Sequence, residues 1–325
     1  MNNKISLGIV GVRGYVGREL IRLLSNHPTI RVDWVSSRKL KGFTLNEFLC
    51  DDVYFESVKL DEEHYYKKIK IETLSEVDVA DRETNIIVLA LPNGLAGKFF
   101  GEIDKKQNHQ LVIDLSADYR FDETWQYSVP ELYSKSDNKI NNLMKISNPG
   151  CYATAMQAAL APLVNHIVGR ANCFGISGFS GAGTKPSANN NPRNLKDNIL
   201  PYGLIEHLHE KEVSYHLGIP ISFSPHVAEF FRGISMTVQV ELKGKWTHAK
   251  IKKLFDDYYE NDLLIDNQDA IPNIQQVINT EKCIVGGFTL SVDGKKLTLV
   301  SCLDNLLKGA ASQALQNIEL FYKRV

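Results

Sequence analysis

Apolar residues arrive in short blocks along the first third of the chain. Residues 5–10, 32–36, 86–90 and 111–115 form such blocks, bounded by glycine or polar turns, with helically spaced apolar residues between several of them. These blocks read as strands, and their alternation with helices predicts a parallel α/β sheet. The pattern changes near residue 151. An Ala-rich helical stretch ending at Pro162 is followed by longer β-type segments at 173–177, 233–242, 283–288 and 297–303, which predict a mixed sheet with helices on one face. The last stretch, from Asn305 to Phe321, returns to helical spacing and is expected to rejoin the first domain. No internal repeat is visible, and Asn189-Asn190-Asn191-Pro192 reads as an exposed loop tip.

The first block runs directly into Gly11-Val12-Arg13-Gly14-Tyr15-Val16-Gly17, which precedes the helical run 18–24. Strand, glycine turn and helix in this order form a dinucleotide-binding signal, here with G-x-x-G-x-x-G spacing. The glycines allow a tight turn, close approach of a pyrophosphate to backbone N–H groups, and tight packing of helix on strand. The second strand ends in Ser36-Ser37-Arg38-Lys39, where an NAD site usually places an acidic residue for the ribose hydroxyls. Two hydroxyls and two cations suit a 2′-phosphate, with Arg38 able to hold it through paired hydrogen bonds, so the cofactor expected is NADP. The fold class expected is α/β: a Rossmann-type NADP-binding domain over 1–150, with helix 305–325 returning to it. An α+β catalytic and dimerisation domain with a mixed sheet occupies 151–304, and the active site is expected between the two.

One cysteine falls where a thiol becomes a nucleophile. In Ser147-Asn148-Pro149-Gly150-Cys151, Asn148 reads as a helix N-cap and Pro149 as the first helical residue, which places Cys151 in the first turn. Unpaired N–H groups and the helix dipole there favour the thiolate and suit an oxyanion. A base is sought in the segment 202–213. On a helix His209 and Glu212 share a face with Ile205, Leu208 and His216, whereas His207 and His209 point to nearly opposite sides. A carboxylate on one ring nitrogen leaves the other to exchange protons with a cysteine. His226 is the rival for that role, with Arg232 just downstream. Arg120 follows the fourth strand at the carboxyl edge, where open α/β sheets bind ligands. Asn148, Arg120, His207, His226 and Arg232 are thus the candidates for holding a substrate.

Composition narrows the classes. The chain has 325 residues, 43% hydrophobic and 23% charged, and a formal charge of −1, which offers no basic field for nucleic acid. Cys50, Cys151, Cys173, Cys283 and Cys302 are odd in number and nowhere in C-x-x-C spacing, which argues against a disulfide framework and a zinc cage. No metal is expected, and a reducing compartment fits best. No apolar run approaches the roughly 20 residues of a membrane span. The Met1 start without a visible presequence leads to the expectation of a stand-alone cytoplasmic protein.

Three segments carry a resemblance that runs the whole chain: 146–155 around Cys151 with Pro162 beyond it, Gly178-Phe179-Ser180-Gly181-Ala182-Gly183, and Asp304-Asn305-Leu306-Leu307-Lys308-Gly309-Ala310-Ala311. Together they resemble the N-acetyl-gamma-glutamyl-phosphate reductases of arginine biosynthesis, relatives of aspartate-semialdehyde dehydrogenase. The resemblance implies an NADP-dependent reductase of an acyl phosphate. Cys151 attacks the substrate, His209 serves as acid/base, Glu212 orients it, and Gly181, Asn305 and Lys308 lie near the nicotinamide. It also implies a dimer or tetramer. Leu208 and Glu210-Lys211 stand where many bacterial members have Arg and Thr-Pro, a form closer to fungal reductases. That likeness adds the alternatives of a processed mitochondrial precursor and of acetylglutamate kinase as partner. Rival readings are a reductase of aminoadipyl or aspartyl phosphate, and a cofactor-binding regulatory subunit without turnover.

Overall fold

The four apolar blocks of the first third become the centre of a seven-stranded, wholly parallel sheet: β1 (Ile5–Val10), β2 (Ile30–Ser36), β3 (Ile71–Glu72), β4 (Ile86–Leu89), β5 (Leu111–Asp114), β6 (Gln126–Tyr127) and β7 (Lys145–Ser147). The computed structural model describes residues 4–50, 54, 64–106, 110–133, 144–260, 262 and 264–324. Strand order is β3-β2-β1-β4-β5-β7-β6. Every residue of β4 and β5 is buried, as a sheet covered on both faces requires. The covering helices Tyr15–Leu24 and Ala96–Lys106 turn Leu20, Ile21 and Leu24, and Phe99 and Ile103, inward. The order reverses between β1 and β4, and such a switch point, at the carboxyl ends of the strands, is where open α/β sheets bind ligands.

This first unit comprises Met1–Ser128, Lys139–Asn148 and Ala314–Val325. The terminal helix Ser312–Arg324 joins it from Ala314 onward, and the Asn317 amide donates to Ser128 O (3.1 Å) and Asn148 Oδ1 (3.2 Å). Residues 305–313, expected to return with that helix, stay with the second unit, as does 129–133.

The second unit carries a seven-stranded mixed sheet: β8 (Ile167–Gly178), β9 (Ile199–Pro201), β10 (Ile221–Ala228), β11 (Ile234–Leu242), β12 (Ile265–Gln268), β13 (Cys283–Leu290) and β14 (Lys296–Leu303), in the order β12-β13-β14-β11-β8-β10-β9. One face is covered by the helix Cys151–Leu160, in which every residue from Tyr152 onward is buried. Its alanines let it lie close to Phe223, Met236, Val238 and Leu299 in the core. The segment 189–192 falls at short helical turns, Ala188–Asn190 and Pro192–Leu195, instead of an irregular tip. Among the described residues no helix is long and apolar enough to cross a membrane, and no group of His, Cys, Asp and Glu is placed to hold a metal.

Candidate active site

The glycine turn has the shape its spacing requires. Gly11 has φ of +90°, and a Cβ there would stand 2.3 Å from the O of Ala90, the residue that follows β4. At Gly17 a Cβ would meet Val12 O at 2.8 Å, so the helix packs onto the turn at glycine distance. At Gly14 the nearest atom to a Cβ is Gly11 O at 3.8 Å, which leaves its face open. Gly14 is the N-cap, and the helix begins at Tyr15, three residues before the start expected from the sequence. The first turn holds no acidic residue, and Arg13 is exposed beside it. The N–H groups of Tyr15, Val16 and Gly17 thus start a helix whose charge environment suits an anion. Ser36 and Ser37 are buried: Ser36 Oγ accepts from Leu74 N (3.3 Å) and Ser37 Oγ from Lys39 N (3.3 Å). Arg38 is exposed at the end of β2. An open glycine, a non-acidic helix start and an exposed arginine at the ribose position fit a dinucleotide.

Asn148, Arg120 and Asp114 form a brace in the first unit. Asn148 N donates to Asp114 O (2.8 Å), continuing the strand hydrogen bonding past β7, so Asn148 is extended and does not cap the helix. Arg120 is buried, with Nε donating to Asn148 O (3.1 Å) and Nη2 to Leu115 O (3.4 Å). Its guanidinium faces backbone carbonyls, where the sequence suggests a substrate contact. Asp114 is fully buried, and desolvation pushes its carboxyl up to about 6 against the hydrogen bonds from Ser116.

The helix of the thiol is capped by Gly150 (φ −75°, ψ 153°), and Cys151 is its first residue. Gly150 O accepts from Thr154 N (2.8 Å) and Thr154 Oγ1 (3.1 Å). Cys151 is half-buried, whereas Cys173, Cys283 and Cys302 are buried thiols pushed up by desolvation to about 12, 12 and 11. Burial holds those three protonated; Cys151 alone joins partial exposure to a helix start.

The histidine segment is helical only from Leu208 to Leu217. His207 is its N-cap, with non-helical ψ of 140°, and its Nδ1 accepts from His209 N (3.2 Å). The expected divergence of the two histidines is therefore wrong: the 100° rule applies within a helix, and the cap bends back so that the rings lie 5.0 Å apart. Ile205 does not share the helix face either; Gly203 and Glu206 take positive φ, and Ile205 is 84% exposed. Burial lowers the pKa of His207, opposed by the charges of Glu210 and Glu212. Glu212 is fully buried, and its Oε1 accepts from Gly150 N at 2.9 Å. The histidine helix is thereby tied to the amide that caps the cysteine helix.

Two tyrosines complete this cluster, and the sequence expectations include neither. Tyr152 lies 5.9 Å from His209 and 6.5 Å from His207, ring to ring, and its hydroxyl donates to His226 O (2.6 Å). A Cβ at Gly175 would stand 2.6 Å from the Tyr152 ring, so β8 needs glycine there. Burial and then the charge of Cys151 raise the pKa of Tyr202. Gly309 is likewise absent from the expected site residues: a Cβ on it would come within 2.7 Å of Cys151 Cβ. The sequence signals for these three are the adjacency of Tyr152 to Cys151, the place of Tyr202 in the histidine segment, and that of Gly309 in the segment 304–311 that carries the resemblance.

The other expected site residues lie in the second unit, with these contacts. His226 alternates with the inward Pro225 and Val227, and its ring rests on Phe174 (4.4 Å) on the opposite sheet face from the Tyr152 ring. Arg232 donates to Asn279 Oδ1 and Asp304 Oδ2 (3.3 Å). Asn305 accepts from Gly233 N (2.7 Å) and donates to Ser180 Oγ (2.9 Å), joining the end of β8 to the start of β11. Lys308 is fully buried with its ammonium on Glu131. Gly181 is exposed beyond β8.

Residues 6–140 match the family model "Semialdehyde dehydrogenase, NAD binding domain", and residues 151–305 match "Semialdehyde dehydrogenase, dimerisation domain". An N-acetyl-gamma-glutamyl-phosphate reductase of Xanthomonas euvesicatoria pv. vesicatoria (strain 85-10) is 44% identical over 315 residues, covering 97% of this chain and 95% of that one. One of Xylella fastidiosa (strain M23) is 46% identical over 316 residues, covering 96% and 91%. The chain belongs to the N-acetyl-gamma-glutamyl-phosphate reductase family. Solved structures share the family's wider fold: aspartate semialdehyde dehydrogenase II of Vibrio cholerae, complexed with ASA, aligns with a TM-score of 0.78 at 18% identity over 98% of each chain. The Candida albicans aspartate semialdehyde dehydrogenase with NADP aligns with a TM-score of 0.73 at 15% identity, over 99% of this chain and 100% of that one.

Proposed function

We propose that this protein reduces N-acetyl-L-glutamyl 5-phosphate to N-acetyl-L-glutamate 5-semialdehyde and phosphate, a step of arginine biosynthesis. The observation that carries the reading is the half-exposed Cys151 thiol at the first residue of a buried helix, beside the histidine helix. The Cys151 thiolate attacks the acyl carbon, the bond from that carbon to the phosphate oxygen breaks, and phosphate leaves a thioester on Sγ. NADPH, held by the glycine turn of Gly11, Gly14 and Gly17, would supply the hydride that reduces the thioester. His209 moves the proton at the resulting oxygen, and the carbon–sulfur bond breaks to release the aldehyde and restore the thiolate. Glu212 holds the histidine helix for this exchange, while the N–H groups of the cysteine helix start offer charge stabilisation to the oxyanion.

NADP is favoured over NAD by the exposed Arg38 where an acidic residue would bind ribose hydroxyls. Gly11, Gly14 and Gly17 with the helix from Tyr15 would hold the pyrophosphate. A homo-oligomer is part of the proposal: the outer face of the second sheet exposes Val168 and Phe174, in the segment matching a dimerisation domain. Five free cysteines agree with a reducing cytoplasm.

Phosphate-dependent reduction of NADP⁺ by purified protein tests the reaction, with N-acetyl-L-glutamate 5-semialdehyde and aspartate semialdehyde as rival substrates. Rapid NADPH formation with the acetylated substrate alone is expected. NADPH binding without turnover on either would favour a regulatory subunit.

A further inference from the structure

The hydrogen bond from Gly150 N to Glu212 gives this carboxylate a task besides the orientation of His209 that the proposed reaction assigns to it. Glu212 is fully buried in the helix Leu208–Leu217 and reaches across to accept, at 2.9 Å, from the residue that caps the helix beginning at Cys151. A negative charge on a helix N-terminus takes up the same positive potential that stabilises a thiolate one residue away. We propose that Glu212 is a positioning residue for the nucleophile itself: it tethers the N-cap amide of the cysteine helix and, by its charge, withholds the thiolate until an imidazolium stands beside it. The proposal rests on Cys151 as nucleophile and His209 as its partner.

The groups around this thiol set the sign. His209 and His207 face the cluster from the histidine segment, with Glu210 one turn from His207 and bonded to Phe223 N (2.8 Å). Tyr152 and Tyr202 approach from the cysteine helix and the loop after β9, and both are held neutral by burial. On the remaining side the turn Leu307–Ala311 presents Gly309, and its Lys308 is bonded to Glu131. Glu212 is therefore the anion bonded directly to the cap. Its effect on Cys151 and its effect through His209 have opposite signs. Acting through the histidine it favours the imidazolium and hence the thiolate; acting on the cap it disfavours the thiolate.

Removing the imidazole separates the two. The rate of alkylation of Cys151 by iodoacetamide is followed against pH, by mass spectrometry of the peptide that bears Cys151, so that the exposed Cys50 does not contribute. His209→Asn and His209→Asn/Glu212→Gln are compared; Gln keeps an acceptor for the Gly150 amide and loses the charge. The midpoint is expected to fall by roughly half a pH unit or more in the double variant. An unmoved or raised midpoint overturns the proposal, because a carboxylate serving only the histidine or only the fold would leave it there. Amide hydrogen exchange on the unaltered protein needs no variant to fold: the Gly150 amide should be strongly protected, and exchange at the rate of an open amide overturns the tether. Alkylation requires no substrate, so the readings fail separately. Turnover without the midpoint shift sinks this proposal, and the shift without turnover sinks the reaction.

Discussion

Cys151 differs from the buried cysteines of this chain by partial exposure and by its place at a helix start, and two substitutions test its role as nucleophile and that of His209 as its acid/base. Cys151→Ala is expected to abolish phosphate-dependent NADP⁺ reduction while NADPH binding, read by fluorescence titration, survives. His209→Asn should lower kcat about 10²- to 10⁴-fold, the usual loss for a missing general acid/base. If His226→Asn did so instead, the assignment would be wrong; its ring lies on the far face of the sheet. Asp114 offers a pH signature in the first unit. Its folded carboxyl holds its proton up to about 6, against about 4 in an open chain, so the native state binds more protons in that window. Stability from this group is therefore present below about pH 4 and lost as pH rises through 6, a change on the order of 3 kcal/mol. Asp114→Asn should gain on the unaltered protein by that order between pH 4 and 7 in urea unfolding. A pH-independent difference would refute it.

Elements are legible in the sequence where local pattern and tertiary role agree. The strands β1, β4 and β5 are continuous apolar blocks, and their bounds can be read almost to the residue. β10 is hidden, because Pro225 sits inside it and proline argues against a strand; here β9 pairs with it and Pro225 O accepts from Tyr202 N. β8 shows only as residues 173–177 of a strand that begins at Ile167, since Gly169, Arg170 and Asn172 break the apolar run in sequence while Ile167 and Ala171 keep the buried face. Long-range partners leave still less trace. The resemblance places Lys308 near the nicotinamide, and only the fold brings Glu131 to it. Lys308→Met should leave Glu131 buried without that counter-charge and cost about 3–5 kcal/mol in unfolding experiments, and Lys308→Met/Glu131→Met should recover most of it. A Lys308→Met protein of normal stability that had lost NADPH affinity would restore the cofactor role.

At the scale of the molecule, the two units divide the labour that the sequence divides: a parallel sheet with a glycine turn for the dinucleotide, and a mixed sheet whose inner face carries the thiol cluster. The mixed sheet's outer face tests the proposed homo-oligomer. Phe174→Arg, which places a charge on that face without entering the core, should shift the mass measured by light scattering toward the monomer; an unchanged mass would move the interface elsewhere. The seat of Cys151 also joins distant parts of the second unit, for the unit's main segment opens at Pro149 and Gly309 closes against the thiol near its end. Synthesis runs from the first to the second. Until Gly309 has been made, the nascent protein has its cysteine but lacks the glycine that backs it. The surroundings of the nucleophile are therefore completed long after the nucleophile itself.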